Sequence, residues 1–241
     1  MNNNKLKLND DKTEILLMKS SRQTINTPSV SINHSIIDMA EKAKNLGVMF
    51  DSDFSMQYQL SSLCKSLHFQ LRKIGIIRDY LTEKVAKTLV TSLILSKLDY
   101  CNSILAGCPQ NKLQKLQSIM NNSARLVCRK PKTTHVTQLH VLRSLHWLPV
   151  KQRIDYKIAV MCFKCIHKQA PSYLTDLLEI LQSRKCLRSS KDTRVNPKRY
   201  GEQSFSYIGP MTWNKIPMSV RQSPTLEIFK KRLKTLLFQN F

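Results

Sequence analysis

Two stretches of the chain hold residues whose types and spacing bear on chemistry. Asp10 and Asp11 are adjacent carboxylates with Lys12 beside them, the residue type that holds Mg²⁺ in two-metal phosphoryl transfer. Taken alone, the pair is a turn signal near a strand start, and Lys12 is a solvated strand-edge lysine. Cys162-Phe163-Lys164-Cys165-Ile166-His167 sets two sulfurs at CxxC spacing with a histidine two residues on. Zinc needs four ligands, and no second close pair follows. His167 also stands one residue too late for haem attachment. With Ile158, Val160 and Met161 around them, Cys162 and Cys165 read as buried thiols acting as small hydrophobes. No G-x-S-x-G motif occurs, so hydrolytic chemistry has no support.

Charge narrows the partner more than any motif does. The 241 residues carry 39 Lys and Arg against 16 Asp and Glu, a net +23. The excess is greatest in residues 184–241, with 13 basic and 3 acidic side chains. Such an imbalance favours a polyanion, since release of condensed counterions drives association whatever the base sequence. A membrane surface also attracts basic chains, but nucleic acid is the expected partner: RNA, DNA or an RNA–DNA hybrid. No membrane role and no small-molecule substrate are expected. The most apolar run, Ile158 to Phe163, is far too short to span a bilayer. Met1-Asn2-Asn3-Asn4-Lys5 lacks the apolar core of a secretory signal. An intracellular site, nuclear or cytoplasmic, follows as an expectation, with the seven cysteines reduced; their odd number also argues against a disulfide framework.

The elements that must position these residues divide by period. Residues 1–52 read as strands and turns: Thr13 to Met18, Val30 to Ile32, and Leu46 to Phe50, with a polar hairpin loop over Ser20 to Ser31. Beyond residue 55 the period is helical. A first helix buries Leu60, Leu63, Cys64, Leu67, Leu71 and Ile74. A second starts at the N-cap Thr82, uses Val85, Leu89, Leu93 and Leu98, and runs through Leu105 to Gly107 and Pro109. A third uses Leu113, Leu116, Met120, Ala124 and Val127 and stops at Arg129-Lys130-Pro131-Lys132. Further helices are predicted over Val136 to Leu145, Val150 to His167 behind Pro149, and Tyr173 to Leu181. Residues 183–210 read as irregular. The last helix, Thr225 to Phe238, is predicted to be capped by Ser223 with Pro224 in its first turn.

Leu6, Leu8, Asn9, Lys12, Thr13 and Glu14 match the pattern Leu-x-Leu-Asn-x-x-Lys-Thr-Glu. That stretch resembles the motif after the catalytic aspartates in reverse transcriptases of non-LTR (LINE-type, jockey-like) retrotransposons. Leu46-Gly47-Val48 resembles the family's primer-grip hairpin, where a missing side chain lets backbone approach nucleic acid; on its own Gly47 is a simple bulge. The likeness continues in order through Leu98-Asp99-Tyr100-Cys101-Asn102-Ser103, Ser144 to Val150, and Arg153-Ile154-Asp155-Tyr156-Lys157. It extends through Phe163-Lys164, Ala170 to Leu174, Leu187 to Ser190, and Gly209-Pro210-x-x-Trp213-Asn214-x-Ile216-Pro217. It closes at Phe229-Lys230-x-Arg232-Leu233-Lys234.

The resemblance implies RNA-directed DNA synthesis for the parent protein and places Lys12 where it would protonate the leaving pyrophosphate. The family's Tyr/Phe-x-Asp-Asp is absent, and Asp10-Asp11 falls in the variable Asn-x-x-Lys spacer. Met1 is accordingly expected to be an internal methionine, and the chain a fragment that does not polymerise alone. Mg²⁺ is expected only in the intact parent, with no cofactor in this chain. The implied architecture is mainly α with a small N-terminal β portion. A palm remnant with a primer-grip-like hairpin spans 1–54, and a three-helix thumb-like bundle spans 55–131. A helical unit over 132–183 follows, then a basic tail over 184–241 with a terminal amphipathic helix. Nucleic-acid contacts are assigned to Asn9, Lys12, Leu46, Gly47, Arg129, Lys130, Lys132, Lys230, Lys231, Arg232 and Lys234. Trp147 reads as a core anchor, whereas Trp213, in a loop with basic surroundings, is open to base stacking. The alternatives are a freestanding basic nucleic-acid-binding module and a non-functional remnant of a mobile element.

Overall fold

The computed structural model describes residues 13–18, 30–32, 35–37, 39–131, 142, 144–180, 195–196 and 204–239. They are mainly helical, with three two-stranded antiparallel sheets. Two compact units divide at residue 65, Met1–Lys65 and Ser66–Phe241.

In the first unit, β1 (Val30–Ile32) pairs with β2 (Ser35–Ile37), and β3 (Lys42–Asn45) with β4 (Val48–Asp51). The predicted strand over Leu46 to Phe50 starts two residues late, because Leu46 and Gly47 form the turn between β3 and β4. Their φ values of 46° and 83° suit a two-residue hairpin, whose primed turns match strand twist. The strand predicted over Thr13 to Met18 reduces to one parallel bridge, Ile15 to Met39. Asp51, buried, then starts helix α1 (Gln57–Ile76). Its carboxylate accepts from Ser55 Oγ at 2.6 Å, Met56 N–H at 3.2 Å and Gln57 N–H at 3.3 Å, satisfying donors that no helical carbonyl can reach. Within the same unit, Met49 N–H donates to Gln59 Oε1 at 2.9 Å, tying the hairpin to the helix.

The second unit holds the larger core. Helix α1 buries Leu67 and Ile74 there. Helix α2 (Glu83–Val90) starts as predicted, with Thr82 accepting from Val85 N–H. Its buried row is Ala86, Val90, Ile94 and Leu98, while Val85 and Leu93 stand 45% and 37% exposed. Two parallel apolar rows make the sequence period ambiguous, and packing against the next long helix selects one. The helix continues through a π-helical turn, Thr91–Leu95, into α3 (Ser96–Asp99), then breaks at Cys101, whose φ is 49°. The expected run to Leu105 is thus completed by a separate 3₁₀ turn, Asn102–Leu105.

Helix α4 (Gln110–Val127) buries Leu113, Leu116, Met120, Ala124 and Val127 on the predicted face. Buried Arg78 closes its end: Nε and Nη2 donate to the Leu126 and Val127 carbonyls, each at 2.7 Å. A cation there meets carbonyls that lack helical partners and the negative end of the dipole.

Helix α5 (Val150–Ile166) follows Pro149 as expected. Gln117 of α4 accepts from Val150 N–H at 2.8 Å and so fixes where α5 begins. The helix expected over Val136 to Leu145 lies almost wholly outside the described residues. The one predicted over Tyr173 to Leu181 is a single turn, α6 (Ser172–Thr175), because β5 (Glu179–Ile180) pairs instead with distant β6 (Val195–Asn196).

The largest correction falls in 183–210, read as irregular. Helix α7 (Phe205–Asn214) forms there with Pro210 inside it, at the loss of one ladder hydrogen bond. Packing compensates. A Cβ on Gly209 would stand 3.2 Å from both Cys162 Sγ and Phe205 Cε2, so α7 approaches α5 closely at this glycine. Asn214 accepts from Val195 N–H at 3.1 Å and donates to the Val195 carbonyl at 2.8 Å, holding β6. A short helix, α8 (Met218–Arg221), leads to α9 (Leu226–Gln239). The α9 cap is Thr225, whose Oγ1 accepts from Ile228 N–H at 3.3 Å. Ser223, the predicted cap, donates instead to the Val220 carbonyl at 2.7 Å and closes α8.

Trp213, Phe163 and Phe229 meet where α5, α7 and α9 cross. Their ring centroids lie 4.5 Å apart for Phe163–Phe229 and 5.6 Å for Trp213–Phe229, and all three side chains are buried.

Candidate nucleic-acid interface

Among the described residues of the second unit, several basic side chains meet around a cleft of about 230 Å³ lined by α5, α9 and residues that precede them. Arg153 and Lys157 lie one turn apart on α5, so they project from one face. Lys234 comes from α9, and His146, with φ at 57°, from the turn before Trp147-Leu148-Pro149. The His146 ring meets Phe238 edge-on at 6.4 Å, and Lys234 Nζ stands 5.9 Å from the Phe238 ring centroid.

Asp99, at the end of α3, sets the geometry of the two α5 cations. Its Oδ2 accepts from Arg153 Nη1 at 2.6 Å, while Arg153 Nε donates to the Leu148 carbonyl at 2.7 Å. Lys157 Nζ donates to the Asp99 backbone carbonyl. Asp99 therefore orders two cations, Arg153 through its carboxylate and Lys157 through its backbone carbonyl, while cancelling only one unit of charge. The cleft keeps a net positive charge, and its cations are held before any ligand arrives. Burial pushes the Tyr156 phenol above its usual range, so this wall residue is a neutral hydrogen-bonding aromatic at physiological pH. Asp155, on the next position, is raised first by burial, against the lowering effect of Lys151 and Lys215.

The other sequence-predicted contacts are scattered. Asn9, Lys12 and Lys132 lie outside the described residues, as does Asp10-Asp11. Leu46 and Gly47 form an exposed hairpin turn in the first unit. Arg129 and Lys130 are exposed just past α4, with Arg129 Nη2 donating to the Asp79 carbonyl at 3.2 Å. Asp79 and Glu83 line the same hollow and weaken its field. The basic cluster of α9 divides. Lys231 and Arg232 face α8, where Arg232 Nη1 donates to the Ser219 carbonyl at 3.0 Å. Lys230 is half-buried, and of the four only Lys234 lines the cleft.

Arg153, Lys157 and His146 were not among the predicted contacts, although all three stand in strings of the resemblance. Their signal was the four-residue spacing on α5. The spacing shows that they share a face, but not that α9 delivers Lys234 to it.

Trp213 is removed from the list of stacking residues. It lies in α7, fully buried, rather than in a loop. Trp147 is buried as a core residue. Cys162 and Cys165 are buried too, with burial raising both thiols above their ordinary range. The His167 ring stacks on Phe163 at 4.0 Å, and its Nδ1 is 3.1 Å from the Phe163 carbonyl oxygen. Among the described residues no group of three or more His, Cys, Asp or Glu is placed to hold a metal ion. Asp51, the buried carboxylate of the first unit, is occupied in capping α1. These donors do not fit the Mg²⁺ site that the resemblance implies for the parent.

Comparison with protein-family models, with curated proteins and with solved structures finds no match to this chain.

Proposed function

We propose that the chain grips nucleic-acid backbones as the thumb and C-terminal portion of a LINE-type reverse transcriptase does, without catalysing synthesis itself. The observation carrying this reading is the convergence of Arg153, Lys157, Lys234 and His146 on one cleft in a chain of net charge +23. Preordered cations facing a common opening favour phosphates over a neutral ligand. Hybrid duplexes of A-form geometry are the expected substrate, held by shape and phosphate contact rather than by base sequence. The ordered strings from Leu6 to Lys234 support the lineage, and the missing Tyr/Phe-x-Asp-Asp supports the lack of synthesis.

The test has two readouts on the 241-residue chain. Binding of an RNA–DNA hybrid should weaken linearly in log K against log salt, with a slope of about −0.9 per phosphate contact by the B-DNA relation. A slope near zero refutes the proposed grip. Nucleotide incorporation on a primed RNA with Mg²⁺ should be nil, and measurable extension refutes the second half of the proposal.

A further inference from the structure

The basic cleft does not end at Lys157. An apolar groove of about 440 Å³ shares Tyr156 and Lys157 with it as a common wall. Across the two cavities, α5 contributes Arg153, Tyr156, Lys157, Ile158, Val160, Met161 and Lys164. All but Ile158 recur at three- and four-residue steps, so they form one stripe along the helix, about 16 Å long at 1.5 Å per residue. Arg153 and Lys157 stand towards one end and Lys164 at the other, with Val160 and Met161 between them and Tyr156 beside Lys157. Opposite the stripe, Ile104, Leu174, Phe205 and Ile208 complete the apolar lining.

We propose that the two adjoining cavities bind one unpaired nucleotide, its phosphate in the cleft and its base in the apolar groove. This inference rests on reading the cleft as a phosphate contact and adds what the neighbouring groove receives. The groove volume falls within the roughly 300–1,000 Å³ of small-ligand sites, which are mostly apolar with a few polar groups. A ligand of phosphate alone leaves the groove empty, and a purely apolar one makes no use of Arg153 and Lys234. A nucleobase joined to a phosphate uses both. Its faces suit the Tyr156 and Phe205 rings and the aliphatic walls, and its polar edge can meet the Ser103 hydroxyl. Base pairs stacked within a duplex cannot enter, so the occupant is unpaired. It comes either from a single strand or from a free mononucleotide.

Anisotropy titrations of the full chain with a labelled single strand, the same strand made wholly abasic, and a blunt hybrid duplex test this. Adenosine monophosphate serves as competitor. The base-bearing strand should bind about tenfold more tightly than the abasic one, the order of one base–aromatic stack. Met161→Trp, filling the groove from a partly exposed position, should abolish that difference. Ile104→Trp fills it from the opposite side and keeps the test open if the first variant unfolds. Lys234→Gln should weaken both strands. Displacement of the strand by the mononucleotide assigns the site to free nucleotides, whereas base-dependent strand binding without displacement assigns it to a strand. Equal affinity for the two strands, or a base preference that survives both tryptophans, overturns the inference. In that event salt-dependent hybrid binding still upholds the proposed grip, and its loss refutes the grip separately.

Discussion

Helices α5 and α9 each serve two regions with opposite physical demands. On one side Phe163 of α5 and Phe229 of α9 meet Trp213 in a junction closed to water. On the other, Arg153, Lys157 and Lys234 line the open cleft. The junction is fixed by shape: large rings, a glycine at a close approach, and an asparagine spanning the Val195 peptide. The cleft is fixed by charge, with Asp99 holding two cations in place. The two therefore separate apolar packing from exposed charge on the same pair of helices. Several of the most distinctive strings in the sequence fall on the junction. Gly209, Trp213 and Asn214 are packing and tethering residues, and Pro217 starts α8.

This contrast can be broken from either side. Trp213→Ala should be the most damaging change, costing about 3–5 kcal/mol in denaturant titration. A loss under 1 kcal/mol would mean that the junction is not packed as described. Gly209→Ala should cost about 1 kcal/mol, since a methyl group makes Cys162 Sγ or the Phe205 ring give by a few tenths of an ångström. Unchanged stability would show that α7 can move away from α5 freely.

The carboxyl of Asp155 gives a smaller, pH-dependent effect. Burial raises it in the folded chain, so the fold binds its proton more tightly than the unfolded chain does. Stability should be highest below the ordinary carboxylate range and fall as pH rises from there through the folded value. Asp155→Asn should flatten that part of the pH–stability curve, and an unaltered curve would refute the burial. Lys234→Gln should have the least effect on folding, within about 0.5 kcal/mol for an exposed helix position. It should nevertheless reduce the salt slope of hybrid binding by about one. A full slope would remove Lys234 from the interface.

Elements with a single apolar stripe and a clear cap were legible from the residues. The faces of α1 and α4, the Thr82 cap and the start of α5 behind Pro149 all follow from short-range signals. Where two local readings competed, more distant contacts decided. Ala86 and Val90 rather than Val85 and Leu93 were buried because α4 packs on that side. Residues 183–210 read as irregular, yet the aromatic junction supports a helix through Gly209 and Pro210. Glu179 and Ile180 left the helical pattern because Val195 and Asn196 offered strand partners. The same limit applied to the cleft: spacing put Arg153 and Lys157 on one face, while their partners Asp99, His146 and Lys234 come from far along the chain.

By itself, the sequence determined a mainly helical chain with a short β portion and a charge suited to polyanions. Those properties depend on composition and on periods of a few residues, which act before any long-range contact forms. Only the tertiary structure decided that Trp213 is core, that Lys234 parts from Lys231 and Arg232, and that Asp99 holds both Arg153 and Lys157. These outcomes depend on which helix faces meet, and that is set by the burial of side chains distant in sequence.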